Sequence, residues 1–412
     1  MGNLFKIAIR NLRRYRRRTL LTASLVAIGV LFVLVFVATS GSFKNMIVSQ
    51  ITDSMLGHIQ IHRKGYVASI DNLPLTLNMK PQAVAKVEKV ISETPGIEAY
   101  SPRIKFGAGF SNFIETTNIR LNGVYPDQEM KTVPLLASRI IEGEKVIQKG
   151  QVVIPELLAR GMKVKVGDMV VIIATNKDGS VNGKQLKVGG ILESATGPGG
   201  RDGYLHIEDA MEILRMEEME ISEIAIRLHS FRNLKLIYTK LSSALSSDMN
   251  KQGKPTYEIH TWEGLSPFYN IARMIDIMTF FIKIMLIAIV LVSIMNVMIM
   301  AVYERIREIG TIAAIGTMPR KILSMFLIEG FSLGIFGAAI GTLFGLIIIF
   351  ILNLAKITFN FGMQTGLVLS PTISARDILL TALTVILVAT LGSLQPAFKA
   401  SRMKPIEALR HV

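Results

Sequence analysis

The stretch from Pro267 to Gly316 reads PFYNIARMIDIMTFFIKIMLIAIVLVSIMNVMIMAVYERIREIGTIAAIG, and it constrains this chain more than any other. Its middle, Ile277 to Val302, is apolar enough and long enough to cross a bilayer, which takes about 20 residues. Ahead of that core, Phe268, Ile271, Ile275 and Met278 recur at helical spacing, with Arg273 and Asp276 off the stripe. No Gly or Pro falls between Pro267 and Gly310. The pattern predicts one helix that spans the membrane and continues beyond it as an amphipathic stalk. At about 1.5 Å per residue such a helix is roughly 60 Å long, about twice the hydrocarbon thickness. Its far end is a charged cluster, Glu304, Arg305, Arg307 and Glu308. Gly310 and Gly316 are expected to end the helix and turn the chain back.

Three more apolar runs are long enough to cross. The first span is read over 19–40, the second as the core of a 267–302 stalk and span, the third over 322–352 and the fourth over 378–395. Residues 1–18 form a basic amphipathic segment, with seven basic side chains and no acid over 3–18. Basic-then-apolar order also describes a secretory signal peptide, but this run of about 20 residues exceeds a signal core of 7–15, so an uncleaved span is expected.

The net charge of +15 sorts the two sides of the membrane. Residues 41–270 carry 27 Lys/Arg and 25 Asp/Glu, so nearly all of the excess lies elsewhere. That excess flanks apolar segments, as the positive-inside rule requires, rather than forming the basic surface of a nucleic-acid binder. Both termini and the 303–321 loop are therefore expected in the cytoplasm. The 41–266 domain and the 353–377 loop are expected outside, and 396–412 is a cytoplasmic tail. There is no cysteine, which excludes disulfides, thiol nucleophiles and Cys-based metal sites.

Residues 41–266 read as a folded α+β domain, inserted between the first two spans and built of two lobes, an outer one near 130–222 and one assembled from both flanks. Strand-like runs are Gly57–His62, Gln151–Ile154, Met169–Ala174, Leu186–Leu192 and Glu223–Leu228. Helix-like runs are Pro81–Thr94, Ile207–Met216 and Asn233–Ser243. The fold class is thus a membrane protein of four transmembrane α-helices with a large extracytoplasmic α+β domain.

Few residues suggest chemistry. His58 and His62 have zinc-like spacing for a helix, but Ile59 and Ile61 alternate with them, so they belong to a strand, too far apart to share a metal, and should face solvent. Gly179 to Gln185 lacks the spacing of a phosphate loop and reads as a hairpin turn at Asp178-Gly179 or Asn182-Gly183. Gly197-Pro198-Gly199-Gly200 is a loop, or a contact surface for a partner. Glu329 is an acid inside the third span, where it either pairs with another helix or reaches the interface. Gly337, Gly341 and Gly345, with Gly330 and Gly334 before them, give a small-residue face for close helix packing. No nucleophile–base pair or carboxylate dyad stands out, so no enzyme and no cofactor is expected in this chain.

Several stretches together resemble the FtsX-like permease family of ABC transporters. They are Glu304 to Gly310 with Ala313 to Gly316, Glu329-Gly330 with the glycines after it, the tail Pro396 to Arg410, and Val152–Ile154 through Gly167-Asp168. The resemblance implies a dimer of such permeases, homo- or heteromeric, with two copies of a cytoplasmic ABC ATPase subunit that binds the ATP. It further implies that the 303–321 segment is a coupling helix, and that stalk and outer domain, a MacB-like core, transmit ATPase motion. The span order fits two subfamilies, the lipoprotein-releasing permeases and the MacB-type exporters. Because MacB-type chains usually begin with their ATPase, the lipoprotein-releasing type, in the bacterial inner membrane with a periplasmic carrier or adaptor, is the expected one. Alternatives are a MacB-type exporter of drugs, peptides or other small molecules, and a non-transporting FtsX-like regulator of a periplasmic enzyme.

Overall fold

A computed structural model describes residues 16–194, 201–249, 253, 255–361, 364–404 and 406. Most of the basic 1–18 segment, the Gly197–Gly200 loop and the tail residues 407–412 lie outside the described residues. The chain divides into two compact units, one made of Met46–Ala272 with Asn360–Leu367 and the other of the remaining described stretches.

The chain enters through helix α1 (Arg16–Ile51), which widens into one π turn at Thr52–Leu56. The unit that follows is an α+β domain. Its strands are β1 (Ile59–Arg63), β2 (Ile97–Ser111), β3 (Thr116–Val124), β4 (Ile140–Gly143), β5 (Gln151–Pro155), β6 (Met169–Thr175), β7 (Val181–Leu192), β8 (Gly203–His206), β9 (Glu223–Leu228) and β10 (Tyr257–Thr261). They join in one sheet in the order β10-β1-β9-β2-β3-β8-β5-β7-β4, with β6 pairing β2 and β7. The pairs β3–β8 and β5–β7 are parallel and the rest antiparallel. Both flanks of the domain and its middle thus contribute to a single sheet.

Helices α2 (Pro81–Glu93), α3 (Ile207–Ile213) and α4 (Leu234–Ser246) pack into the same core. Helix α2 starts with proline at its first position, where the missing N–H is no loss, and buries Val84, Val87 and Ile91 along one stripe. The β6–β7 turn is made at Asp178-Gly179, with Gly179 at φ +86° and the Asn176 N–H donating to the Ser180 carbonyl at 2.7 Å.

The expectation that His58 and His62 face solvent is corrected. The strand is there, but it lies between β10 and β9, and its polar face is covered as fully as its apolar one. His58 Nδ1 accepts the Leu228 N–H at 3.0 Å, and His62 Nε2 lies 3.5 Å from Glu223. The polar face closes around Glu223, whose carboxylate has Arg103, Lys105 and His62 at 2.8, 3.3 and 3.5 Å.

The second unit holds helices α5 (Tyr269–Glu304), α6 (Ile306–Ala314), α7 (Pro319–Ala355) and α8 (Ala375–Ser401). A two-stranded sheet, β11 (Thr358–Phe361) and β12 (Gln364–Val368), stands between α7 and α8 in the chain. Among the described residues, four helices are long and apolar enough to cross a membrane, Thr19–Leu56, Tyr269–Glu304, Pro319–Ala355 and Ala375–Ser401. The glycine stripe of α7 splits its work. A side chain at Gly330 or Gly334 would strike Ser393, Ala389 or Ile386 of α8, whereas one at Gly337 or Gly341 would strike Val26, Ala27 or Val30 of α1. Small residues let these backbones approach where apolar attraction between helices is weak.

Candidate coupling site

The predicted uninterrupted helix to Gly310 does not occur. Helix α5 is 36 residues long, about 54 Å, and stops at Glu304. Arg305 leaves the helical region (φ −111°, ψ 20°), and the chain starts again as α6. Nor does Gly310 end a helix: it is buried within α6 beside Ile309. The turn comes at Gly316, whose φ of +91° favours glycine, and Pro319 then opens α7.

What holds the break is a buried charge cluster. Arg305 is 4% exposed. Its Nε donates to Glu308 at 3.1 Å and its Nη1 to Glu329 of α7 at 3.4 Å. The guanidinium also lies over the Phe326 ring, 5.7 Å from its centroid. Glu329 is therefore an inter-helix pairing residue, not one that reaches outward. An acid inside an apolar helix is tolerated when it faces the bundle and meets a cation. Around the cluster, Val302, Ile309, Ile322, Met325 and Phe326 pack with Ala397 and Ala400 of α8. Lys399 of α8 donates to the Tyr303 hydroxyl at 2.7 Å, so α8 is tied to the last turn of α5.

The expected site residues therefore part into two sets. Arg305, Glu329, Ile309 and Gly310 face inward. Glu304 and Arg307 are exposed, and Glu308 is partly so. Arg307, Thr311, Ala314 and Ile315 recur at three- and four-residue spacing and give α6 one outward face. The turn that follows α6 carries two bare apolar side chains, Ile315 at 80% and Met318 at 66% exposure. An amphipathic helix with a pinned inner face and an apolar tip can dock into a groove and pass force to whatever pins it.

In the stalk, Ile271 and Ile275 are half-buried and Met278 is exposed. Asp276 lies off the apolar stripe, yet it carries an ion pair with Lys44 of α1 at 2.7 Å. Its only sequence signal was an acid just outside an apolar core, and its partner lies 232 residues away.

Residues 19–244 match the profile of the MacB-like periplasmic core domain, and residues 280–405 match that of the FtsX-like permease C-terminal. The lipoprotein-releasing system transmembrane protein LolC of Xylella fastidiosa (strain Temecula1) is 24% identical over 314 residues, 71% of this chain and 72% of its own. LolC of Neisseria meningitidis serogroup B is 22% identical over 98% of both chains. The macrolide export ATP-binding/permease protein MacB of Hahella chejuensis is 25% identical over 98% of this chain and 59% of its own. The first profile alone takes in more than half of the sequence, and the chain belongs to the FtsX-like permeases of the MacB and LolC type, the membrane subunits of ABC transporters.

Proposed function

We propose that this permease couples ATP hydrolysis by a separate cytoplasmic ATPase, present in two copies, to the release of lipoproteins from the inner membrane. It works as a dimer with a second permease, its α+β domain in the periplasm facing a carrier or adaptor. The observation that carries the coupling is the break at Arg305. A short amphipathic helix, pinned on one face to the third span through Glu329, presents Arg307, Thr311 and Ile315 on the other. Basic residues around it, Arg305, Arg307, Arg320 and Lys321, favour the cytoplasmic side. The cargo reading is supported by the alignment with the Neisseria LolC along 98% of both chains. The chain binds and hydrolyses no ATP of its own in this reading.

The test is reconstitution of the permease with its co-purifying ATPase in proteoliposomes bearing a lipidated protein. ATP should move that protein into the soluble fraction. The Hahella MacB alignment, along 98% of this chain, favours a second reading, an exporter of small molecules. ATP hydrolysis stimulated by a macrolide, with no ATP-dependent release of lipoprotein, would replace the first reading with the second.

A further inference from the structure

Helix α5 packs on one face and is bare on the other. Val290, Ile294 and Met298 recur every four residues inside the helical bundle, and a side chain at Gly29 of α1 would strike Val290. On the opposite face Met285, Ile289, Val292, Asn296 and Met300 are exposed. The line continues back through Phe281 and Met278 to Met274, each more than half exposed. Its steps run four, three, four and repeat. Such an 11-residue repeat, 3.67 residues per turn, keeps a line on one face of a helix with a slight right-handed drift.

One member of this line is not apolar. Asn296 lies within the apolar core of α5, and its amide has no hydrogen-bond partner among the described residues. Ser293 solves the same problem inside its own helix, donating to the Ile289 carbonyl at 2.8 Å. Lipid tails offer Asn296 nothing to bond, and an unpaired polar group in hydrocarbon is costly. Lipid also covers the line poorly. From Met274 to Met300 it is about 39 Å long, against about 30 Å of hydrocarbon. Lying wholly in lipid would need a tilt of about 40°, the extreme for spanning helices.

Another α5 suits both the amide and the line. Copies of one chain insert in one orientation, because the same basic flanks decide it. Two α5 helices then run parallel, and a two-fold axis along the membrane normal sets each residue opposite its own counterpart. An asparagine amide carries both donors and an acceptor, so two of them satisfy each other. A single Asn at such a seam fixes the register of parallel helices. We propose that α5 pairs along this line with the α5 of a second copy of the chain, the two Asn296 amides hydrogen-bonded across the axis. The proposal rests on the reading that the permease works as a dimer, and it adds the partner and the seam.

The chain has no cysteine of its own, so single cysteines report contacts without background. The full chain is expressed with its co-purifying ATPase, and the membranes are oxidised with copper phenanthroline. Ile289→Cys and Val292→Cys should give disulfide-linked pairs of this chain, identified by mass spectrometry. Val290→Cys and Ile294→Cys, on the packed face, should not. In proteoliposomes, energy transfer between donor- and acceptor-labelled copies measures self-association. Asn296→Leu should weaken it roughly 3- to 30-fold, the range of a hydrogen bond between helices in a membrane, with helix content unchanged. Asn296→Gln, which keeps the amide, should retain most of it. The proposal is overturned if neither Ile289→Cys nor Val292→Cys links two copies, if the packed face links equally, or if Asn296→Leu associates like the parent. Links only to a different permease chain also overturn it, while leaving the dimer reading intact. Links at both positions without ATP-driven release of lipoprotein sustain it and sink the cargo reading instead.

Discussion

Arg103 and Arg305 are both enclosed, at 1% and 4% exposure, but they are buried to different ends. Arg103 sits in β2 near the middle of the sheet. It reaches Glu129 at 2.8 and 3.0 Å and Glu223 at 2.8 Å, and Lys105 and His62 crowd the same Glu223 at 3.3 and 3.5 Å. Glu223 comes from β9, Glu129 from the short helix Pro126–Thr132 and His62 from β1, so the cluster exists only when the whole domain is folded. Arg305 instead sits in a single non-helical residue between two helices, each with apolar packing of its own. The first cluster is the price of a closed polar face. The second fixes the angle of a joint whose arms would survive without it.

The largest expected effect follows from the first. Glu223→Ala leaves Arg103, Lys105 and His62 short of a shared carboxylate, and breaking a buried pair costs about 3–5 kcal/mol. Trp262, the single tryptophan, is buried in this domain and reports on it. Its fluorescence should show the domain melting well before the parent does, with faster hydrogen exchange in β2 and β9. Exchange indistinguishable from the parent would mean that the cluster is not what holds the sheet.

A pH titration should separate the two regions next. Burial alone would raise the Glu223 carboxyl, but Lys105, His62 and Arg103 hold it well below the usual carboxylate range. The unfolded chain then takes up a proton that the folded one refuses. That stability is present above the ordinary value of 4.5 and is lost as pH falls toward the folded value. His260 adds to it: burial, with His62 nearby, lowers it below its ordinary 6.5, so the unfolded state protonates first. The Trp262 transition should weaken steadily from pH 7 to about pH 4. A transition that strengthens with acid would contradict the assignment of Glu223.

Neither Arg103 nor Arg305 carries a local sequence signal of its burial. The four spans and five of the ten strands of the large sheet announce themselves by apolar length or alternation, as Met169–Thr175 does. Strand β2 runs 15 residues yet carries Pro102, Gly107 and Gly109, which read as breakers. They are tolerated because its edge is shared among β9, Ser222 and β6 instead of one long partner. The break at Arg305 has no Gly or Pro to mark it. It is selected by Glu329, 24 residues further on, and no local pattern in Glu304-Arg305-Ile306-Arg307-Glu308 says which arginine turns inward.

Arg305 should therefore respond less than Glu223 but in a more specific way. Its guanidinium serves two carboxylates from one fork, which a lysine ammonium cannot reproduce. Arg305→Lys should lower stability by about 1–2 kcal/mol, and a cycle with Glu329→Gln should show coupling within the usual 0.5–3 kcal/mol range. Helix content should stay, because α5 and α7 keep their apolar contacts. Additivity of the two substitutions would show that the pair does not hold the joint.

The smallest effect on stability, and the sharpest on function, is expected at Arg307. It stands two residues from Arg305 but on the outward face of α6, with Thr311 and Ile315. An exposed substitution of this kind usually stays within about 0.5 kcal/mol, so Arg307→Glu should melt like the parent. If α6 docks on the ATPase, however, reversing a charge at that surface places like beside like, and association suffers while the fold does not. Co-purified ATPase should fall for Arg307→Glu, whereas Arg305→Lys should keep the ATPase bound and lose the link between hydrolysis and cargo movement. The two arginines then report different steps, binding and transmission. If Arg307→Glu assembles and transports like the parent, the outward face is only solvated. In that case the ATPase must be met elsewhere, with Ile315 and Met318 at the tip as the next surface to change.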